Sequence, residues 1–438
     1  MNKKILFIYP KFDRFLDSYP ELCENKEYAN IGKYKMPPAL GIPTLVACTP
    51  KDWEYEIIDQ NIQDIPYEGD HDLIAVSFFT PQASYAYELG DHFRSIGKKV
   101  VMGGMHPSAL PHQTKLHCDS VCIGEGDLIW AKILDDYDKN ELKEMYYPEP
   151  VLPEMWPITD KNLFRPHFKS YDWKAALVQV TRGCQFNCST CNQTIISGKN
   201  LRFRNIDDVE REIKKYLVGY EFYLIDDTIM QTLNNCNIFM KQLCERIAKY
   251  NVNMFISASP SMNTDPEFLA TIRNAGCRNL YTVFAFDFIS QFAFRPERKR
   301  IFNMAVDVVK RVHDAGIEVF GSFSLGFDFH DLSVFDKILE FISKANIRLA
   351  EFFIATPFPK TQFSNKLQEM GRIITTDWKK YNCANVVFVP KNMSENQLLD
   401  GYLHCWKEFF KMNKKEQMYS SFSTFNLEKW GLDAEKVK

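Results

Sequence analysis

The chain has 438 residues, with 53 Lys and Arg against 56 Asp and Glu, so its net charge of −3 (53 − 56) is small and is scattered along the sequence. That balance gives no electrostatic basis for binding nucleic acid, and no run of 18 apolar residues offers a transmembrane segment. The apolar run near Met1 is too short for a signal peptide, so a cytoplasmic protein is expected, whose 12 cysteines serve as thiols rather than as a disulfide framework.

Length allows two or three domains. Residues 1–140 predict strands at Lys4–Tyr9, Tyr55–Asp59, Leu73–Phe79, Lys99–Gly103 and Ser120–Gly124, with helices at Pro43–Cys48 and Pro81–Ile96. Five strands with interleaved helices imply a doubly wound, Rossmann-like parallel sheet, which binds ligands beyond the carboxyl ends of its strands. Small and polar residues collect at those ends, in Gly103-Gly104-Met105-His106-Pro107 and Gly124-Glu125-Gly126-Asp127. Segment 141–172 contains Pro148, Pro150, Pro153, Pro157 and Pro166, and is expected to be a linker laid along the surface.

From 173 to 360 the pattern repeats. Strands are predicted at Ala175–Thr181, Phe222–Asp226, Asn253–Ser257, Asn279–Phe286, Val319–Leu325 and Leu349–Thr356, separated by helical stretches. Six β/α units make a partial (β/α)6 barrel whose functional loops follow the strands. Residues 361–438 predict a C-terminal helical region packed on the barrel, with Ser394 and Gln397 as a capping box for a helix reaching about Phe410.

Cys184, Cys188 and Cys191 form C-x-x-x-C-x-x-C immediately after the first barrel strand. The set is one ligand short of a closed site. A structural zinc needs four protein ligands, which His167 or Cys236 could complete only through folding. Three buried core thiols fit poorly with Gly183 and the polar residues between the cysteines. A non-catalytic metal-binding protein is therefore one alternative reading. The spacing and its place after a barrel strand resemble the radical S-adenosylmethionine (SAM) enzymes. That resemblance implies a 4Fe–4S cluster on the three thiolates, SAM on the open iron, and an electron donor such as flavodoxin or ferredoxin.

The same resemblance points to SAM-binding positions. Phe186 lies in the loop; Asp226, Asp227 and Thr228 follow the second barrel strand; Ser257 and Ser259 close the third; and Asp287 ends the fourth. Asp227 or Thr228 serves equally well as a helix N-cap, and plain strand-end serines are the alternative for Ser257 and Ser259. Asp287 is also the one candidate catalytic residue, because an acid in so apolar a strand needs a partner or a ligand. Arg182 is expected to fix the loop or the field of the cluster. The residue before the third cysteine, usually aromatic in these enzymes, is Thr190, which implies an altered SAM pose.

A doubly wound domain carrying Gly-Gly-x-His-Pro and Ile-Gly-Glu-Gly ahead of such a barrel resembles the cobalamin-binding branch of these enzymes. Asp377-Trp378, Asn385-Val386-Val387-Phe388-x-Pro390 and Met393-Ser394 are similar to hopanoid-methylase-like members. The resemblance places cobalamin near Thr80, Pro81, Gln82, Gly103, Gly104, His106, Gly124, Glu125 and Gly126. The Asp-x-His-x-x-Gly signature that gives cobalt a histidine is absent, and a backbone-bonded turn residue is the alternative role for His106. Methylthiotransferases share the domain pairing, but Cys23, Cys48, Cys118 and Cys122 lack the motif of their second cluster. The implied activity is cobalamin-dependent methyl transfer to an unactivated carbon or a phosphinate of a small metabolite, lipid or peptide. The alternative is a cobalamin-free enzyme that cyclises, rearranges or transfers another SAM-derived group.

Overall fold

The computed structural model describes residues 3–20, 38–171, 176–186, 188–226, 229–230, 233–284 and 297–412. The first sheet contains β1 (Lys3–Tyr9), β2 (Trp53–Asp59), β3 (Leu73–Ser77), β4 (Lys99–Gly103), β5 (Ser120–Cys122) and β6 (Met145–Tyr146). All pair in parallel in the order β2-β1-β3-β4-β5-β6, so the order reverses between β1 and β3. Two-residue alternation explains why both faces are covered. Leu6 and Ile8 join one apolar cluster with Ile74, Val76 and Phe93 of the helix Ala83–Ser95. Ile5 and Phe7 join another with Ala75, Val101 and Trp130 of the helix Asp127–Asp138.

The second parallel sheet is the partial barrel. Its strands are β7 (Ala176–Val178), β10 (Glu221–Leu224), β11 (Asn253–Ala258), β12 (Cys277–Phe284), β13 (Glu318–Leu325) and β14 (Leu349–Ile354). They run in the order β14-β13-β12-β11-β10-β7. A separate antiparallel pair, β8 (Thr181–Arg182) and β9 (Arg202–Phe203), carries the cysteine loop between its strands. Outward residues such as Leu280, Phe284, Phe323 and Phe352 pack under the helices. Phe255, Phe320 and Leu349, with Tyr223 and Tyr281, form a second cluster inside the barrel.

Three expectations change. The first sheet has a sixth strand, β6, inside the stretch read as linker. That stretch is not a surface strap either: Val151 is fully buried, and Trp156 and Tyr171 are nearly so. Partners distant in sequence draw them in, such as Asp59, which accepts the Tyr171 hydroxyl at 2.9 Å. The predicted first barrel strand also stops early, at Val178, because the Asp226 carboxylate takes the Val180 and Thr181 N–H groups and turns the chain out of the sheet.

The C-terminal stretch is more than an appendage. The helix Glu395–Met412 does pack on β14, with the Phe352 ring 5.1 Å from Trp406. Ahead of it, Asn382 donates to the Asp13 carbonyl at 2.8 Å, and Trp378 meets the His106 ring at 5.1 Å. This stretch therefore joins both sheets.

Candidate active site between the two sheets

The cysteine loop is shaped by polar ties. One Asp226 oxygen accepts from Val180 N at 2.8 Å, from Thr181 N, and from the Thr181 hydroxyl at 2.9 Å. Gly183 follows with φ +91°, and a Cβ there would stand 2.1 Å from the Asn200 carbonyl oxygen, so only glycine fits this turn. Cys184 N bonds Gly198 O at 3.2 Å, and Gln193 N points at the Cys191 sulfur at 3.4 Å. A clamp from beyond the barrel holds the far side. Phe363 N donates to Ser189 O at 2.8 Å, and the Asn192 amide reaches Pro359 O at 3.4 Å.

Cys184 is half-buried, and Cys188 and Cys191 are exposed. Three thiols in one backbone-braced loop are the donor set that an iron–sulfur cluster with one open iron requires. Among the described residues, no three His, Cys, Asp or Glu side chains converge on a single-ion site. Cluster thiolates bind different irons and so stand wider apart than the ligands of one ion. Cys236 is fully buried in the helix Asn234–Ile247, away from any role as a fourth ligand. His167 sits in a 3-10 turn, Arg165–Ser170, of the segment between the two sheets.

Of the SAM candidates, Asp226 is spent at least in part on the loop itself. Phe186 is 45% exposed beside the cysteines. The Ser257 hydroxyl shares a hydrogen bond with Tyr223 at 2.8 Å. Ser259 bonds Ser261 at 2.8 Å, and its N–H reaches Met230 O. Thr190 is partly accessible. Asp227, Thr228 and Asp287 lie outside the described residues.

Sequence reasoning missed an acid within the barrel. Glu351 faces inward from β14 between Leu349 and Phe353, accepts a hydrogen bond from the Tyr281 hydroxyl, and lies beside Ser322 in register. Burial pushes its carboxyl up to about 7, against the opposing pull of Tyr281 and Ser322. Strand alternation was the available signal, since it places Glu351 on the same face as Leu349.

Where the carboxyl ends of β1, β3, β4 and β5 face the barrel lies a cavity of about 300 Å³. Its walls include Ser77, Gly103, Gly104 and Gly124–Asp127 on one side, with Gln179, Arg182, Gln193 and Ser197 on the other. Glycines at the carboxyl ends of β4 and β5, beside the switch point between β1 and β3, let the backbone approach a large, flat ligand such as a corrin. Of the proposed cobalamin residues, Gly103, Gly104, Gly124, Glu125 and Gly126 line it. Thr80, Pro81 and Gln82 form a 3-10 turn beside it, with Gln82 accepting from Phe79 N at 2.8 Å. His106 points the other way. It is fully buried, bonds Tyr87 at 3.0 Å and Thr80 at 3.2 Å, and is held neutral by burial at about 3.

A buried ionic network joins the cavity walls. Arg182 grips Asp127 through both terminal nitrogens, at 2.9 and 3.1 Å, and lies 4.5 Å from the Trp156 ring. Arg202 pairs with Glu125 through both of its oxygens, and Glu125 also accepts from Val151 N at 2.8 Å. A second network, Lys161–Glu212–Arg204, fastens the connecting segment to the barrel, with the Lys161 ammonium 2.7 Å from Glu212.

Residues 178–342 match the radical SAM superfamily model, and residues 38–134 match the B12 binding domain. The chain is 30% identical to bacteriochlorophyllide d C-8(2)-methyltransferase of Chlorobaculum tepidum, over 84% of this chain and 86% of that one. It is 22% identical to hopanoid C-2 methylase of Rhodopseudomonas palustris, covering 87% and 73% respectively. Its fold is similar to that of the radical SAM methyltransferase TsrM of Kitasatospora setae, solved with cobalamin and a 4Fe–4S cluster, with a TM-score of 0.60 at 14% identity over 84% of this chain and 78% of that one.

Proposed function

Since the chain belongs to the radical SAM superfamily and carries a B12-binding domain ahead of its barrel, we propose that it methylates an unactivated carbon of a small, largely apolar molecule. The observation that carries this reading is a shared wall. Gln193 and Ser197, just beyond the third cysteine, face the same cavity as the Gly124-Glu125-Gly126 turn. A methyl carrier in that cavity and SAM on the cysteine loop would thus be neighbours.

When bound, the cluster supplies the electron that cleaves SAM, and the corrin supplies the methyl group. The chain's own residues position and enclose. Cys184, Cys188 and Cys191 hold the cluster, while Asp226 and Gly183 set the path of their loop. Phe186, Ser257 and Ser259 are the residues that would contact SAM. The aromatic cluster of Phe255, Phe320 and Tyr281 floors the barrel and keeps water from the reacting carbon. A low-potential donor such as flavodoxin or ferredoxin, in the cytoplasm, supplies the electrons. Among the described residues, no helix is long and apolar enough to cross a membrane.

The test is anaerobic purification, with iron, sulfide and cobalamin quantified, followed by incubation with SAM, a reductant and a bacteriochlorophyllide d probe. S-adenosylhomocysteine together with a methylated pigment supports the reading. Iron without cobalamin, accompanied by methylthioadenosine, would replace it with transfer of another SAM-derived group. Zinc alone would defeat it.

A further inference from the structure

We infer that Arg182 is a positioning residue for both cofactors at once, coupling the turn that lines the cobalamin cavity to the loop that carries the cluster cysteines. The inference rests on the cobalamin reading above. Arg182 lies two residues before Cys184, on β8, yet both its terminal nitrogens reach across the domain junction. Its terminal nitrogens grip Asp127 at 2.9 and 3.1 Å, and one stands 3.5 Å from Glu125. Its Nε reaches Gln179 at 3.1 Å. Side-chain exposures of 11% for Arg182, 5% for Asp127 and 3% for Glu125 keep water out of the network, so these charge-assisted bonds act with little screening.

The same residues form the cavity wall. Gly124, Glu125, Gly126, Asp127 and Arg182 all line it. Gly124 sits at φ +95°, and Gly126 flanks Glu125 on the other side, so the turn has little intrinsic stiffness. Ordering such a turn costs conformational entropy, which its polar partners must offset. Its order comes from Glu125, held by Arg202 and Val151 N, and from Asp127, held by Arg182.

A cluster on Cys184 fixes the loop that carries Arg182. Arg182 then fixes Asp127 and the cavity wall before the corrin arrives. The corrin therefore meets a turn already ordered and binds more tightly. By linkage, a bound corrin stabilises the cluster loop by the same factor. An ordinary structural salt bridge would raise stability equally in all cofactor states and would leave no such coupling.

The experiment titrates hydroxocobalamin into the full chain under anaerobic conditions, with and without a reconstituted 4Fe–4S cluster, following the corrin absorbance. Wild-type protein with its cluster is expected to bind about tenfold more tightly than without it, within the range usual for coupled sites. Arg182→Lys keeps the charge but loses the two-pronged grip, and should bring the ratio close to one, with affinities compared at equal iron per chain. Asp127→Asn removes the charge from the other partner and is expected to do the same if the lysine variant fails to fold. Equal affinities with and without cluster in the wild type, or an undiminished ratio in the folded variants, would overturn the inference alone. Absence of corrin binding in both states would sink the cobalamin reading and the coupling with it.

Discussion

Replacing Glu351 by Gln tests whether the inside of the barrel is as dry as its aromatic lining implies. The carboxyl is held at about 7, against 4.5 for an ordinary glutamate, and burial is the dominant cause. At 1.36 kcal/mol per pH unit the gap corresponds to roughly 3 kcal/mol. The folded chain binds the extra proton more tightly than the unfolded chain does. Stability from this group is therefore complete below pH ~4.5 and is lost as pH rises through about 7. Gln keeps an acceptor for the Tyr281 hydroxyl and cannot ionise. Urea unfolding of cluster-free protein, run every half unit between pH 4.5 and 8, should show the wild type losing roughly 2–3 kcal/mol relative to Glu351→Gln across that interval. Comparing the two proteins cancels the titration of all other groups. Parallel profiles would mean that the carboxylate is solvated in the folded barrel, and the description of a dry floor would be wrong.

Three other substitutions probe the loop and its supports. Gly183→Ala places a Cβ 2.1 Å from the Asn200 carbonyl at a backbone angle of φ +91°, so iron per chain after reconstitution should fall to near zero while far-ultraviolet circular dichroism stays native. Asp226→Ala removes an oxygen that accepts from three donors; it should cost about 2–3 kcal/mol in thermal unfolding and lower iron content, while hydroxocobalamin still binds. Glu212→Gln strands Lys161 and Arg204 without their shared counter-charge in a buried site, and a loss of ~3–5 kcal/mol by urea titration is expected. A loss under 1 kcal/mol would show that water reaches that cluster.

Both sheets were legible because their strands alternate or run continuously apolar, as Ile5–Ile8 and Leu73–Val76 do, and because glycines mark the strand ends. The cysteine loop was legible because its ligands lie within eight residues of one another. What escaped depends on partners far away in sequence. Val151 and Trp156 sit among prolines, and partners such as Glu125, Arg182 and Arg202, all distant in sequence or across the junction, draw them inside. His106 follows a diglycine at a strand end and so reads as facing the ligand, yet Tyr87, Thr80 and Trp378 turn it inward. Asp226 reads as a ligand residue from its place after a strand, and only the fold shows that it ties down Val180 and Thr181.

A six-stranded partial barrel has a difficulty that a closed one lacks, because among the described residues β7 and β14 do not pair with each other and each presents an open edge. Open edges invite association with other chains unless they are covered. Here the cover comes from outside the barrel. At β7 the Lys161 ammonium takes the Leu177 carbonyl at 2.6 Å, and at β14 Ile354 N donates to Cys383 O at 2.8 Å. Those covering segments also reach the functional elements. The chain continuing past Ile354 brings Pro359 and Phe363 onto the cysteine loop, and the stretch around Cys383 bonds the N-terminal Asp13 and Ser18 through Asn382. Protecting the barrel's edges and bracing the cysteine loop against the first sheet are thus tasks of the same connected segments. A change in the C-terminal stretch therefore reaches the cluster loop without touching a cysteine.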